Sequence, residues 1–201
     1  VRVSTYACEL MRAVSEGATT PAPKPPSIAL EKPEQYAGAF TSAAGDAFEV
    51  AAENGKLRLS RNGRVSVLQQ AAGSLFATTE PDFAVTGVVI EVENEKAVRA
   101  WIGEDEYLVD PAIGFKAPAL EALRVAAGRY DNDDRWAGPI YVYARDGGLW
   151  VGNAEPLTPL GNNEWRLGDE TSPERIKFDG EINGRPNRML FSGTPYVRRF
   201  S

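Results

Sequence analysis

The chain has 201 residues, of which 43% are apolar and 25% charged, and its formal net charge is −6. The chain is acidic and its basic residues are scattered, so it lacks the clustered positive face typical of nucleic-acid binding. No apolar run approaches the roughly 20 residues that cross a bilayer. The sequence contains no histidine, which excludes Ser-His-Asp and Cys-His catalysis and histidine zinc sites. It contains one cysteine, Cys8, which excludes an intrachain disulfide. We predict no cofactor, no metal ion, no nucleic-acid partner and no membrane span.

Residues 4–16 are predicted to form a helix that ends at Gly17. Four apolar side chains share one face at helical spacing: Tyr6, Leu10, Met11 and Val14. An apolar face must be buried, so we expect it to pack on a preceding domain or, in a homodimer, on a second chain. The start lacks an initiator methionine and the layout of a signal peptide, which predicts that the chain begins inside a longer protein.

A proline-rich stretch, residues 18–33, follows the helix and is predicted to be an extended, semi-rigid linker. We therefore assign residues 1–33 to a helix and linker at the end of a missing domain.

From Tyr36 onward, apolar residues alternate with polar ones, the period of short β-strands. Asn54-Gly55 and Asn62-Gly63 are strong hairpin signals because this dipeptide readily adopts the backbone of a tight turn. The regular spacing of turns indicates an antiparallel sandwich or barrel. Residues 111–125 interrupt the alternation and are predicted to form a connector with one or two helical turns.

The second half of the chain repeats the first at an offset of about 90 residues, which indicates two structural repeats. Gly38-Ala39-Phe40 matches Gly128-Arg129-Tyr130. Further matched pairs follow in order: Val50 and Val142, Leu57 and Leu149, Leu68 and Leu160, Phe76 and Trp165, Tyr107 and Tyr196.

The predicted fold class is all-β, with two tandem, lipocalin-like, up-and-down antiparallel barrels of about eight strands each, since closure removes exposed sheet edges. Barrel 1 is assigned to residues 34–112, and the connector with barrel 2 to residues 113–201. We expect filled interiors because many inward positions are bulky: Phe40, Phe48, Leu57, Leu59, Phe76, Trp101, Tyr130, Trp150, Trp165 and Phe178.

One end of barrel 2 is predicted to be capped by Gly128, Tyr130 and Arg198. Glycine permits a close approach of the backbone, and an arginine from the last strand can lie over the tyrosine ring. Arg199 is the alternative for this position, and a solvent-facing arginine is the other possibility.

Three stretches, residues 128–136, 172–180 and 192–200, resemble the C-terminal lipocalin-like barrels of β-lactamase-related serine hydrolases, the penicillin-recognising and D-aminopeptidase-like group. The segment Tyr6 to Arg12, Glu16-Gly17 and the proline-rich linker is similar to the end of their catalytic domain. The resemblance implies that the catalytic motifs belong to that preceding domain, so no catalytic residue is assigned here. It also implies a bacterial protein, with a periplasmic or secreted location favoured over others.

Three functions remain open on this basis. The first is a non-catalytic accessory module that packs on the hydrolase and shapes substrate access or oligomerisation. Its loop facing the ligand or active site would contain Asp131, Asn132, Asp133, Asp134, Arg135 and Trp136. The alternative is a lipocalin-like module that binds a small apolar or peptide ligand. The third is catalysis by carboxylate pairs drawn from the acidic clusters at residues 104–106 and 131–134.

Overall fold

The computed structural model describes residues 11–12, 15–17, 30–116, 120–134, 137–152 and 155–200. The chain divides into two compact units, Val1–Glu31 and Lys32–Ser201. In the first unit Met11, Arg12 and Ser15 are helical and Gly17 has a φ of 63°, while Tyr6, Leu10 and Val14 lie outside the described residues. Met11 is 65% exposed.

The second unit contains two closed, eight-stranded antiparallel barrels, which confirms the predicted fold class. In each barrel, sequential strands pair and the last strand pairs with the first. The strands of barrel 1 are β1 (Gly38–Ser42), β2 (Ala47–Glu53), β3 (Lys56–Arg61), β4 (Arg64–Ala72), β5 (Leu75–Ala77), β6 (Val88–Glu93), β7 (Lys96–Ile102) and β8 (Asp105–Leu108). Those of barrel 2 are β9 (Gly128–Asp131), β10 (Ile140–Arg145), β11 (Gly148–Val151), β12 (Glu155–Gly161), β13 (Glu164–Leu167), β14 (Arg175–Ile182), β15 (Arg185–Phe191) and β16 (Thr194–Arg199).

Short helical segments precede each barrel. A 3-10 turn, η1 (Pro33–Tyr36), leads into β1, and a second, η2 (Pro111–Ile113), follows β8. A helical turn, Glu121–Arg124, leads into β9, in the segment where the sequence predicts one or two turns. Residues 117–119 of that predicted connector lie outside the described residues.

The predicted Asn-Gly hairpins form as expected. Asn54 and Gly55 have φ values of 52° and 73°, which is the left-handed backbone of the tight turn between β2 and β3. Asn62-Gly63 makes the turn between β3 and β4 in the same way. Two further hairpins place residues other than glycine at both left-handed positions, at Asn94-Glu95 and Asn162-Asn163.

The strand registers place the two repeats in correspondence. Gly38 pairs with Val50 in barrel 1 as Gly128 pairs with Val142 in barrel 2. One predicted match is wrong: Leu57 pairs with Leu68, and its counterpart Leu149 pairs with Leu157 rather than with Leu160. A β-bulge between Pro159 and Gly161 follows in β12, and Leu160 is 46% exposed.

The barrel interiors are packed with apolar side chains. In barrel 1, Phe40 and Phe48 stack at 5.0 Å, and Phe48 also meets Tyr107 edge-on at 5.0 Å. In barrel 2 the buried cluster includes Tyr130, Leu149, Ile176, Phe178 and Met189. These side chains come from alternate positions of the strands, as the period-two pattern predicts.

Two of the predicted inward residues face outward instead. Trp101 lies on the opposite face of β7 from the interior residue Ala100, and Trp150 lies on the opposite face of β11 from Leu149. Both strands carry apolar residues on both faces, so side-chain size does not identify the inner face.

Candidate functional site between the barrels

The two barrels meet where the β7–β8 turn of barrel 1 packs on β10 of barrel 2. The Glu104 carboxylate accepts a hydrogen bond from the backbone N–H of Ala144 at 2.9 Å, and Arg145 Nη1 donates to the Gly103 carbonyl at 3.1 Å. Gly103 has a φ of 62°, and a Cβ at this position would lie 3.4 Å from the Tyr143 ring. Glycine therefore allows both the turn and the close approach of the second barrel.

Arg145 lies between the two outward-facing tryptophans. Its guanidinium is 5.1 Å from the ring centre of Trp101 in barrel 1 and 4.8 Å from that of Trp150 in barrel 2. Only 3% of the residue is exposed. Burial lowers the pKa of Arg145 to about 10, which leaves the guanidinium charged at neutral pH.

Acidic side chains on barrel 1 complete a charged network beside this stack. Arg99, which is 8% exposed, ion-pairs with Glu106 and, at 3.1 Å, with Glu91. Although burial by itself would lower the pKa of Arg99, the two carboxylates outweigh it and raise the pKa. Glu91 also accepts a hydrogen bond from Trp101 Nε1 at 2.8 Å, which joins the network to the arginine stack.

The segment after β8 ties the network to barrel 2. The Lys116 ammonium lies 2.7 Å from Asp146 in the β10–β11 turn and 3.7 Å from Glu91. Its backbone N–H donates to Glu106 at 2.8 Å. Ion pairs, a cation–π stack and hydrogen bonds between side chains and the backbone therefore hold the barrels together.

A cleft of about 390 Å³ opens beside this contact. Residues of both barrels line it, including Asp46, Trp101, Glu104, Lys116, Arg145 and Asp146. Asp46 accepts hydrogen bonds from Arg61 at 2.7 Å and from the Tyr107 hydroxyl at 3.0 Å. Partial burial would raise the pKa of Asp46, but these two donors outweigh it and lower the pKa. A carboxyl group with a lowered pKa is suited to an ion pair rather than to donating a proton.

The acidic cluster at residues 104–106 is divided among structural roles. Glu104 binds the backbone of barrel 2, Glu106 pairs with Arg99, and Asp105 is exposed. In the part of the chain that the structure describes, no group of three or more acidic, histidine or cysteine side chains could hold a metal ion.

The predicted loop after β9 is anchored at its start. Asp131 pairs with Arg129 and Arg199, each at 2.7 Å, and these hydrogen bonds lower its pKa. Asn132 Nδ2 donates to the Pro195 carbonyl at 2.7 Å, and its side-chain oxygen accepts from the Asp134 N–H at 2.6 Å. Asp133 and Asp134 are exposed, while Arg135 and Trp136 lie outside the described residues.

The predicted capping residues lie together at one end of barrel 2. The Arg198 guanidinium is 5.8 Å from the ring centre of Tyr130, and a Cβ on Gly128 would lie 3.1 Å from its Nη2. Arg198 also donates hydrogen bonds to the carbonyls of Val125 and Ala127, and Tyr130 donates to the Ala126 carbonyl at 2.8 Å. Arg199 points to Asp131 instead.

Sequence reasoning did not find the central residues of the inter-barrel contact, Arg145, Arg99 and Lys116. A sequence signal exists only for Arg145, which ends an otherwise apolar strand and is followed closely by Trp150. The partners of Arg99 and Lys116 come from separate strands and turns, and only the folded chain brings them together.

No family model matches the chain, and a search of curated proteins finds no relative. Among the described residues, no helix has the length and apolar character needed to cross a membrane.

Proposed function

We propose that the chain is the non-catalytic accessory module of a serine hydrolase of the β-lactamase-related group. In this proposal the tandem barrels pack on the catalytic domain and shape substrate access or oligomerisation. The observation that carries it is the fixed junction of two packed barrels around Arg145, because loops on a rigid platform can aim side chains at a neighbouring domain. The likeness of residues 128–136, 172–180 and 192–200 to such modules supports the choice of parent enzyme.

The lowered pKa values and ion pairs of the acidic side chains favour an accessory role over catalysis by this chain. Asp46 and Asp131 both have lowered pKa values because arginines bind them. Glycoside-type chemistry needs one carboxylic acid that stays protonated near neutral pH. Glu106 and Asp146 are likewise engaged by cations.

The loop after β9 is the candidate for contact with the hydrolase active site. Its base is held by the two hydrogen bonds of Asn132, while Asp133 is exposed. An anchored base with an exposed acidic tip can present a negative charge at a defined position to a substrate in a neighbouring domain.

The first test is the sequence that the gene encodes upstream of Val1. The proposal expects a Ser-x-x-Lys motif in an upstream domain of some hundreds of residues. An upstream sequence without a hydrolase domain contradicts it.

The second test uses the full-length hydrolase with Asp133→Ala. We expect a changed KM for bulky substrates and little change in kcat for small ones, since the loop acts on access rather than on chemistry. Glu49→Ala, which removes an exposed carboxylate from β2, is the matched control and should change neither parameter. If both substitutions change KM and kcat equally, the loop after β9 does not shape substrate access.

A further inference from the structure

The two repeats differ in how one end of each barrel is closed. In barrel 1, the Tyr36 ring of η1 meets the Phe76 ring edge-on, with 4.9 Å between ring centres. Pro33, at the start of the same 3-10 turn, is buried. A tyrosine and a phenylalanine therefore fill this end of barrel 1.

The corresponding positions of barrel 2 are Ala126 and Trp165. Tyr36 stands two residues before Gly38, and Ala126 two residues before Gly128, at strand starts that share the same register. Phe76 pairs with Val88 as Trp165 pairs with Ile176. Arg198 and Tyr130 cap part of this end, but the ring that closes barrel 1 is replaced by a methyl group, and Trp165 is only half-buried.

A cavity of about 540 Å³ lies at this end of barrel 2, within the size range of small-molecule sites. Buried apolar residues line it, among them Ala126, Leu149 and Phe178. The half-buried Trp165 lines it as well, and its indole N–H donates no hydrogen bond to any residue that the structure describes. A pocket with buried apolar residues, a polar rim and an unused donor is suited to a flat ligand that carries an acceptor.

The rim supplies charge of both signs. Asp179 is bound by Arg188 at 2.6 and 2.7 Å, and this pairing lowers the Asp179 pKa. Lys177 and Glu181 also line the cavity, and the Lys177 ammonium has no ion pair within the described part of the chain. The charge of Lys177 also lowers the Asp179 pKa, but the close pair of Asp179 is Arg188, so the Lys177 ammonium can receive a negatively charged group at the mouth.

We propose that this end of barrel 2 binds a small molecule with one or two fused or linked rings and one oxygen acceptor. In this arrangement the rings lie against Trp165, Phe178 and Leu149, and the acceptor oxygen receives the Trp165 N–H or the Lys177 ammonium. The inference is independent of the accessory role, because the cavity is formed by barrel 2 and the helical turn that leads into it.

The test is a fluorescence and calorimetric titration of the 201-residue chain with 8-anilinonaphthalene-1-sulfonate, whose linked rings and sulfonate match the proposed ligand class. We expect saturable binding by one molecule, with a change in tryptophan emission that is lost in Trp165→Phe. Ala126→Tyr restores the ring found in barrel 1 and should weaken binding by about tenfold or more. Tyr36→Ala opens the matched end of barrel 1 and should raise the stoichiometry toward two.

Val65→Tyr is the control, since it adds a tyrosine at an exposed position on β4 and should leave binding unchanged. Melting temperatures establish that each variant is folded. If Ala126→Tyr fails to fold, Trp165→Phe, which keeps an aromatic ring but removes the N–H donor, tests the site instead and should weaken binding. Absence of binding to the unmodified chain, or unchanged binding in a folded Ala126→Tyr or Trp165→Phe protein, overturns the inference.

Discussion

Replacing Arg145 by alanine is the sharpest test of the contact between the barrels. The substitution removes a side chain in a residue only 3% exposed, stacked between Trp101 and Trp150, and leaves the buried Gly103 carbonyl without the guanidinium donor. We expect the free energy of unfolding to fall because each barrel loses contacts with the other.

The size of the effect follows from opposing contributions. Three buried methylene groups contribute about 2.4 kcal/mol, the hydrogen bond to a buried carbonyl about 2 kcal/mol, and the two cation–π contacts about 2 kcal/mol together. Against these stands the cost of burying the charge. The pKa of Arg145 falls from 12.5 to about 10, net of the attraction of Glu91 and Asp146, which corresponds to about 3 kcal/mol. The net expectation for Arg145→Ala is a loss of about 3 kcal/mol.

Arg145→Met separates the contribution of the buried apolar stem from that of the charged guanidinium. Methionine keeps most of the buried stem but removes the charge, so the electrostatic contributions nearly cancel and the expected loss is about 1 kcal/mol. Arg129→Ala is the matched control, because Arg129 lies 5.9 Å from the Tyr141 ring and pairs with Asp131 in an exposed position. The control should cost less than about 1 kcal/mol.

Urea unfolding followed by tryptophan fluorescence measures these differences, and calorimetry should show the melting temperature of Arg145→Ala lowered by about 6–12 °C. Stability of Arg145→Ala within 1 kcal/mol of the unmodified chain would refute this account of the junction. Equal losses for Arg145→Ala and Arg129→Ala would refute it as well.

Three further predictions concern ionisation, turns and the division of the chain. Burial raises the pKa of Tyr130 from 10 to about 12, so this phenol alone should lower the free energy of unfolding by about 1.4 kcal/mol per pH unit between pH 10 and 12. Because burial also raises the pKa of Tyr107 and Tyr143, the contribution is measured by comparison: in urea unfolding Tyr130→Phe should show a slope shallower by that amount, and an unchanged slope contradicts the assignment. Asn163→Gly should stabilise the chain by about 0.5–1 kcal/mol in urea unfolding because Asn163 has a φ of 57°, whereas Glu155→Gly, at a strand position, should destabilise it. Removal of residues 1–31 should leave the melting temperature unchanged because both barrels lie within Lys32–Ser201; a fall of more than about 10 °C would show that the first unit contributes to barrel stability.

The barrel fold could be predicted because its signals are local. Asn54-Gly55 and Asn62-Gly63 define their hairpins within a few residues, and the repeat offset links the two halves. The turns at Asn94-Glu95 and Asn162-Asn163 lack the glycine that marks such hairpins, although they adopt the same left-handed backbone. Sequence patterns identify a turn by its most permissive residue, so they miss turns whose strain is offset by the sheet around them.

The face of a strand is harder to predict when both faces are apolar. Leu149, Trp150 and Val151 are all apolar, and only pairing with Leu157 establishes that Leu149 points inward. The size of Trp150 suggests an interior position, but its outward position is explained by Arg145 of the same barrel, on which it packs, and by Trp101 of barrel 1, which lies against Arg145 as well. Prediction of the junction failed for the same reason, since it depends on which outer faces of two barrels meet.

The junction between the two barrels uses a different surface on each barrel. A head-to-tail contact can repeat indefinitely if every copy carries both complementary surfaces. The position in barrel 1 equivalent to Arg145 is Glu53, which is exposed and paired with Arg58. In barrel 2, the equivalents of Trp101 and Gly103-Glu104 are Leu190 and Ser192-Gly193, which supply neither the indole nor the carboxylate of the contact. Each barrel therefore carries only one half of the junction, so the two repeats fit each other through this contact in one order only.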